Sequence, residues 1–169
     1  MNKRKNFNKL QHQALVFKYL LILFLYLFSA VNAYTQNRKL DSLNNLIAKA
    51  KTDTDRINLN MRKISLIGRS DLNAAISLAK TQLKIAENIN YYRGILNLRG
   101  QLVNKYIITG DFKQALENLH FLETFIEPSD SINYSGMYAM YGMMYGTKAI
   151  YDSSIFYYTK AIELSERIQ

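Results

Sequence analysis

The stretch ITGDFKQALENL, residues 108–119, joins a turn to the start of an amphipathic helix. Gly110 permits the left-handed backbone of a tight turn, and Asp111 is a favoured helix N-cap. Ala115 is small enough for two helix backbones to approach closely, and the leucines that follow it continue an apolar stripe at helical spacing. The stretch therefore predicts two helices that lie close together across a short turn.

The same pattern recurs along the chain at a nearly constant period. A small residue followed by an apolar one stands at Ala75, Ala115 and Ser154, at spacings of 40 and 39 residues. A period of this size indicates stacked supersecondary units. An aspartate stands where we predict the N-cap of the second helix of each unit: Asp71, Asp111 and Asp152.

Apolar periodicity predicts an all-α fold in which each unit has two helices. The first helices are predicted at 57–67, 95–108 and 137–148, and the second helices at 72–89, 112–125 and 152–168. Residues 34–55 form the predicted N-terminal capping helix, since their amphipathic part packs on the first unit. Residues 56–169 are then the repeats, with units at 56–89, 96–129 and 135–168.

The unit resembles the tetratricopeptide repeat family, whose usual unit has about 34 residues. The resemblance covers residues 56–168 and is best in GDFKQAL (110–116) and YYTKAIEL (157–164). It implies an α-solenoid of antiparallel helix pairs, with about three repeats plus the N-terminal helix. Arg99 departs from the family, which prefers an aromatic residue there. The alternative is a helical bundle whose periodicity is accidental.

The longer period is similar to that of exported bacterial tetratricopeptide regions that precede histidine kinase or helix-turn-helix regulator domains. Residues 1–33 fit export, because a basic segment, the apolar stretch YLLILFLYLFSA (19–30) and the small residues before position 34 follow in the order of a signal peptide. We predict cleavage after Ala33 and a periplasmic or other extracytoplasmic location. The alternatives are an uncleaved anchor at residues 15–33 and a buried core helix.

Charge and composition favour a binding function over several other classes. The formal net charge is +9, and five of the excess positive charges lie in residues 1–33, so the remainder is only mildly basic and gives little support for nucleic-acid binding. The chain has no cysteine, and His120 is the single histidine beyond the predicted signal peptide. No phosphate loop, zinc motif or paired-carboxylate pattern is present. We therefore predict no enzyme activity, no cofactor and no metal.

First helices of such repeats line a concave surface that binds peptides. On the middle first helix, Asn97, Gln101 and Asn104 form a polar stripe, with Arg93 one turn earlier. Side-chain amides suit peptide-backbone recognition because they donate and accept hydrogen bonds. Met140 and Met143 add adaptable apolar surface from the third unit. These residues are the predicted groove: Arg93, Asn97, Gln101, Asn104, Met140 and Met143. The alternative is a merely solvated face.

Two further features concern neighbours of the third unit. The stretch MYAMYGMMY (137–145) is apolar all round, which favours a core between units over a ligand groove. The last helix carries Ile155, Tyr158 and Ile162 on the side opposite its predicted core face, so we expect further repeats or self-association there.

The combined expectation is a non-catalytic module that binds a protein or peptide outside the cytoplasm. The first hypothesis makes it the sensing or scaffolding segment of a larger signalling protein. The second makes it a stand-alone envelope adaptor or assembly factor. Contact with a membrane is expected only through the N-terminal segment or a downstream helix.

Overall fold

The computed structural model describes residues 17–24 and 38–167. These residues form helices and turns with no strand among them, which confirms the all-α class. The chain divides into compact units at residues 1–42 and 43–169. The predicted signal peptide lies outside the described residues except for 17–24, which are helical. Across the described ranges, no helix is both long and apolar enough to cross a membrane.

The described helices follow the predicted order closely. Helix α1 comprises residues 38–49. The remaining helices are α2 (Asp53–Ile67), α3 (Leu72–Asn88), α4 (Tyr92–Thr109), α5 (Phe112–Phe125), α6 (Ser131–Thr147) and α7 (Tyr151–Glu166).

Two of the three predicted N-caps are confirmed. The carboxylate of Asp71 accepts a hydrogen bond from the backbone N–H of Ala74 at 2.8 Å. Asp111 accepts the equivalent bond from Gln114 at 3.2 Å. Between α4 and α5 the chain reverses at Gly110, whose φ of 76° is left-handed and therefore favours glycine.

The third predicted cap, Asp152, is wrong. Helix α7 begins at Tyr151 with Ile150 as its N-cap, and no side chain accepts a hydrogen bond there. The alignment that pairs Ser154 with Ala115 also pairs Ile150 with Asp111, so the cap position of this unit holds an apolar residue. Asp152 lies inside the first turn, where its charge interacts favourably with the helix dipole.

Neighbouring helices pack antiparallel where their contacts define a direction. Between α2 and α3, Asn60 donates a hydrogen bond to Gln82 at 3.3 Å, and Gly68 faces Ala75 nearer the turn. Between α6 and α7, the hydroxyls of Ser135 and Ser165 lie 2.7 Å apart at the open end. Each short turn therefore returns the chain along the helix it has just left.

The first helices of the units also contact one another. Helix α4 touches α2 on one side and α6 on the other, in addition to its neighbours α3 and α5. The amide of Gln101 donates to the carbonyl of Met61, 40 residues earlier, at 3.4 Å. This central position explains why α4 contributes more buried residues than any other described helix.

The core runs through these helices as one apolar cluster. Its largest fully buried side chains include Ile64 on α2, Leu98 on α4, Leu119 on α5 and Met137 on α6. Burial of a side chain of this size contributes about 1.5–3 kcal/mol relative to exposure. Of these four residues, Leu119 and Met137 lie in stretches that the sequence predicted to be buried.

Helix α6 begins six residues earlier than predicted, at Ser131 instead of position 137. Asp130 caps it by accepting hydrogen bonds from the backbone N–H of Asn133 at 3.1 Å and from its side-chain amide at 2.6 Å. The extra turns bring Asn133 and Gly136 onto the helix. Both of these residues line the groove described below.

Replacing the two capping aspartates should lower stability while Asp152 serves as the matched control. We expect Asp71→Ala and Asp111→Ala each to cost about 1 kcal/mol, because each leaves a helix N–H unsatisfied. Asp152→Ala should cost less than about 0.5 kcal/mol, since only a dipole interaction is lost. Urea denaturation followed by circular dichroism measures all three. Equal losses at the three positions would contradict the assigned caps.

Candidate functional site

A groove lies between the facing sides of α4 and α6. It contains a cavity of about 200 Å³. Its polar rim consists of four side-chain amides: Asn97, Gln101, Asn104 and Asn133. Its remaining lining is apolar or glycine: Leu96, Gly100, Leu122, Ile126, Gly136, Met137 and Met140. Four of the six predicted groove residues therefore lie at one cavity: Asn97, Gln101, Asn104 and Met140.

A second cavity of about 420 Å³ adjoins the first and continues the groove toward the N-terminal ends of α4 and α6. The two cavities share Leu96, Asn97 and Asn133. The predicted groove residue Arg93 lines this second cavity, together with Asp130. The sixth predicted residue, Met143, is half-buried on α6 and lines neither cavity.

The amides on the rim differ in how many of their hydrogen-bonding groups are free. Asn97 donates to the carbonyl of Arg93 on its own helix at 2.9 Å, which leaves its side-chain oxygen free. Gln101 contacts α2 through Met61 and Ser65, both at 3.4 Å. The side chain of Asn104 makes no hydrogen bond within the described part of the chain. Asn97 and Asn104 are therefore better placed than Gln101 to bind a ligand.

The charged side chains at the second cavity are not equivalent. Both carboxylate oxygens of Asp130 already accept hydrogen bonds from Asn133. Arg93 is exposed and forms no ion pair with any residue that the structure describes. This end of the groove therefore carries one acidic and one basic side chain, and of the two only Arg93 lacks a partner among the described residues.

The apolar stretch at 137–145 divides between core and groove. Met137, Tyr141 and Met144 are buried in the core, in agreement with the favoured prediction. Met140 is half-buried and lines the smaller cavity together with Met137, and its methyl carbon approaches Gly100. The core side of α6 therefore also forms part of the groove.

A layer of tyrosines joins α6 to α7. The ring of Tyr157 stacks on that of Tyr141 with centroids 4.8 Å apart and on that of Tyr145 at 5.4 Å. The hydroxyl of Tyr141 donates to Glu123 on α5 at 3.4 Å. Burial, followed by the nearby negative charge of Glu123, raises the pKa of Tyr141 well above its ordinary value. Burial also raises the pKa of Tyr157.

The outer side of α7 carries an exposed apolar stripe at helical spacing. It consists of Tyr151, Ile155, Tyr158 and Ile162, with exposures of 66, 65, 41 and 57%. The sequence predicted three of these residues as the side opposite the core. Tyr158 of α7 aligns with Leu119 of α5. Leu119 is fully buried, whereas Tyr158 is exposed.

Candidate catalytic or metal-binding groups do not converge in the described residues. His120 lies exposed on α5. Among the described residues, no group of three or more histidines and acids is arranged to hold a metal ion.

The sequence analysis missed several residues of the groove. Asn133 and Asp130 were not predicted as groove residues because α6 was predicted to begin too late. An aspartate followed by a serine and a helical stretch is nevertheless an N-cap signal. Leu96 and Gly100 were not predicted as groove residues because their neighbours across the groove are about 40 residues away in the sequence.

Comparison with family models, with curated proteins and with solved structures finds no match. The chemistry of the groove is therefore the basis for assigning a function to this chain.

The raised pKa values of Tyr141 and Tyr157 predict a loss of stability in alkali. Both tyrosines favour the neutral form when folded, so their contribution is complete below about pH 10, where the unfolded tyrosine begins to ionise, and falls as the pH rises further. Tyr141→Phe should reduce the loss of unfolding free energy at high pH. Ionisation of Tyr157 should account for part of the loss that is left. Urea midpoints measured between about pH 8 and about pH 11 test this.

The control for this experiment is Tyr151→Phe, which changes an exposed ring on α7. It should leave the pH dependence as in the parent chain. An equal flattening by both substitutions would contradict the role assigned to Tyr141.

Proposed function

We propose that this chain is a non-catalytic module that binds an extended segment of a protein or peptide in the groove between α4 and α6. The observation that carries the proposal is the pair of amides at Asn97 and Asn104, which have free hydrogen-bonding atoms beside an apolar cavity. An amide can donate to a peptide carbonyl and accept from a peptide N–H.

The spacing of the two amides supports an extended ligand. Residues seven apart on a helix are separated by about 10.5 Å along its axis. Three residues of an extended chain span about 10 Å. About three residues of an extended peptide that lies along α4 therefore span the distance between Asn97 and Asn104.

We further propose that the helices form a solenoid of the tetratricopeptide type. Supporting contacts recur with the repeat period: Gln101 reaches Met61, and Gly100 faces Met140, each 40 residues apart. The caps at Asp71 and Asp111 are also 40 residues apart. In this arrangement α2, α4 and α6 line one side of the stack, where repeats of this type bind their ligands.

The proposed setting is outside the cytoplasm, as the sensing or scaffolding segment of a larger signalling protein. The order of basic, apolar and small residues at 1–33 supports export. The alternative is a stand-alone envelope adaptor or assembly factor. A membrane-spanning helix and a kinase or DNA-binding domain encoded after residue 169 would favour the signalling protein over the adaptor.

Self-association through α7 is a second proposal, supported by its exposed stripe. A second copy supplies the same apolar side chains, and an isologous pairing would cover both stripes at once. Ile155→Lys combined with Ile162→Lys should abolish concentration-dependent association in sedimentation velocity, because each lysine would be buried without a partner.

The matched control combines Ile89→Lys with Ile108→Lys, which change exposed isoleucines away from α7. This variant should associate like the parent chain. A parent chain that remains monomeric at every concentration, or a control that also loses association, would contradict self-association through α7.

Groove binding itself is tested by removing the two free amides. Asn97→Ala combined with Asn104→Ala should weaken binding of peptides selected from a random dodecapeptide library by about tenfold, at a net value of about 0.5–1.5 kcal/mol for each lost hydrogen bond. Fluorescence anisotropy measures the affinity, and circular dichroism checks the fold.

The control replaces two exposed asparagines on α3, with Asn73→Ala and Asn88→Ala combined. Their removal should leave affinity unchanged. Failure of the library to yield any binder, or equal binding by the Asn97 and Asn104 variant, would remove the groove as the ligand site.

A further inference from the structure

The smaller cavity of the groove exists because two glycines face it. A Cβ built on Gly136 would meet no atom within 4 Å, so this residue opens onto empty space. A Cβ on Gly100 would lie 2.9 Å from the methyl carbon of Met140, so Gly100 makes room for that side chain. Gly100 therefore allows the Met140 side chain to pack closely against α4, and the cavity beside Met140 stays open at Gly136.

The size of the cavity matches one side chain of a ligand. Its volume is about 200 Å³. Pockets for drug-sized molecules usually measure about 300–1,000 Å³, whereas an apolar cavity of about 150 Å³ accepts benzene. A drug-sized molecule is therefore too large for this cavity, but a branched aliphatic or aromatic side chain fits.

The chemistry of the lining selects an uncharged group. None of the lining residues carries a charge. A charged side chain would lose its hydration there without gaining a partner of opposite sign, at a cost of several kcal/mol. Met137 and Met140 supply flexible apolar contacts that adapt to the shape of the entering group. The amides above them remain available for the backbone on either side.

We propose that the groove recognises a peptide through one uncharged apolar side chain, of the size of leucine, methionine or phenylalanine, inserted beside Met140 where Gly136 leaves the cavity open. This inference rests on the proposed function of the groove and specifies its ligand. The free cation of Arg93 at the adjoining cavity orients the peptide, with an acidic residue directed toward the N-terminal end of α4.

A graded series at Gly136 tests the proposal without endangering the fold. Replacing an exposed glycine in a helix by another residue stabilises the helix by up to about 1 kcal/mol, and here an added Cβ meets no atom within 4 Å. Gly136→Ala leaves most of the cavity open and should bind selected peptides within about twofold of the parent. Gly136→Leu fills the cavity and should bind them at least about tenfold more weakly.

The probe is the same random dodecapeptide library. Peptides that bind the full chain are selected first, and peptides that bind the Gly136→Leu variant are selected in a separate experiment. Peptides selected by the parent should share an apolar residue at one position, with an acidic residue on one side of it. Replacing that apolar residue by lysine should abolish binding. Peptides selected for binding to the Gly136→Leu variant should show no preference for an apolar residue at that position. Ala74→Leu, which adds the same side chain at an exposed position of α3, is the matched control and should bind normally.

The outcomes separate this inference from the proposed function. Peptides that depend on Asn97 and Asn104 but bind Gly136→Leu as tightly as the parent would overturn the side-chain pocket and leave the groove intact. Selected peptides that share no apolar position would also overturn the side-chain pocket and leave the groove intact. A library that yields no binder, or binders insensitive to both sets of substitutions, would overturn the pocket and the groove together.

Discussion

The close approach of paired helices at small residues is the constraint on which the structure depends. A Cβ on Gly68 would lie 3.4 Å from that of Ala75, and one on Gly146 would lie 3.0 Å from the hydroxyl of Ser154. That hydroxyl also donates to the carbonyl of Gly142 at 2.8 Å. Ala115 is fully buried at the aligned position of the middle unit. Larger side chains at these crossings would separate the helices and open the core, since interiors tolerate little change of volume.

The groove is a consequence of this pairing. Each pair places its first helix beside the first helix of the next unit, so α4 and α6 face each other with Gly100, Gly136 and Met140 between them. Beneath the groove, Leu122, Ile126 and Met137 belong to the core. The floor is therefore held by packing, whereas the amide rim faces solvent, and this combination gives a preformed apolar cavity with a polar edge.

The same pairing leaves an asymmetry between successive second helices. Helix α6 covers one side of α5, and Leu119 is buried there. The aligned residue of α7, Tyr158, is exposed, although its inner side packs against Gly142. Helix α7 holds to α6 through the tyrosine layer and through Tyr158, whereas Ile155 and Ile162 of the stripe remain exposed. These exposed isoleucines are suited to contact with another helix.

The sequence by itself determined the helices, the turn at Gly110 and the caps at Asp71 and Asp111, because these depend on interactions within one or two helical turns. It failed at Asp152 and at the start of α6, where the local pattern was compatible with more than one boundary. Only the tertiary structure decided which amides are free, since Gln101 is engaged by Met61 from 40 residues away whereas Asn104 is not. It also decided that Asn133 and Gly136 join the groove and that Met143 does not, because a cavity is defined by side chains that are distant in sequence and meet only when the helices pack.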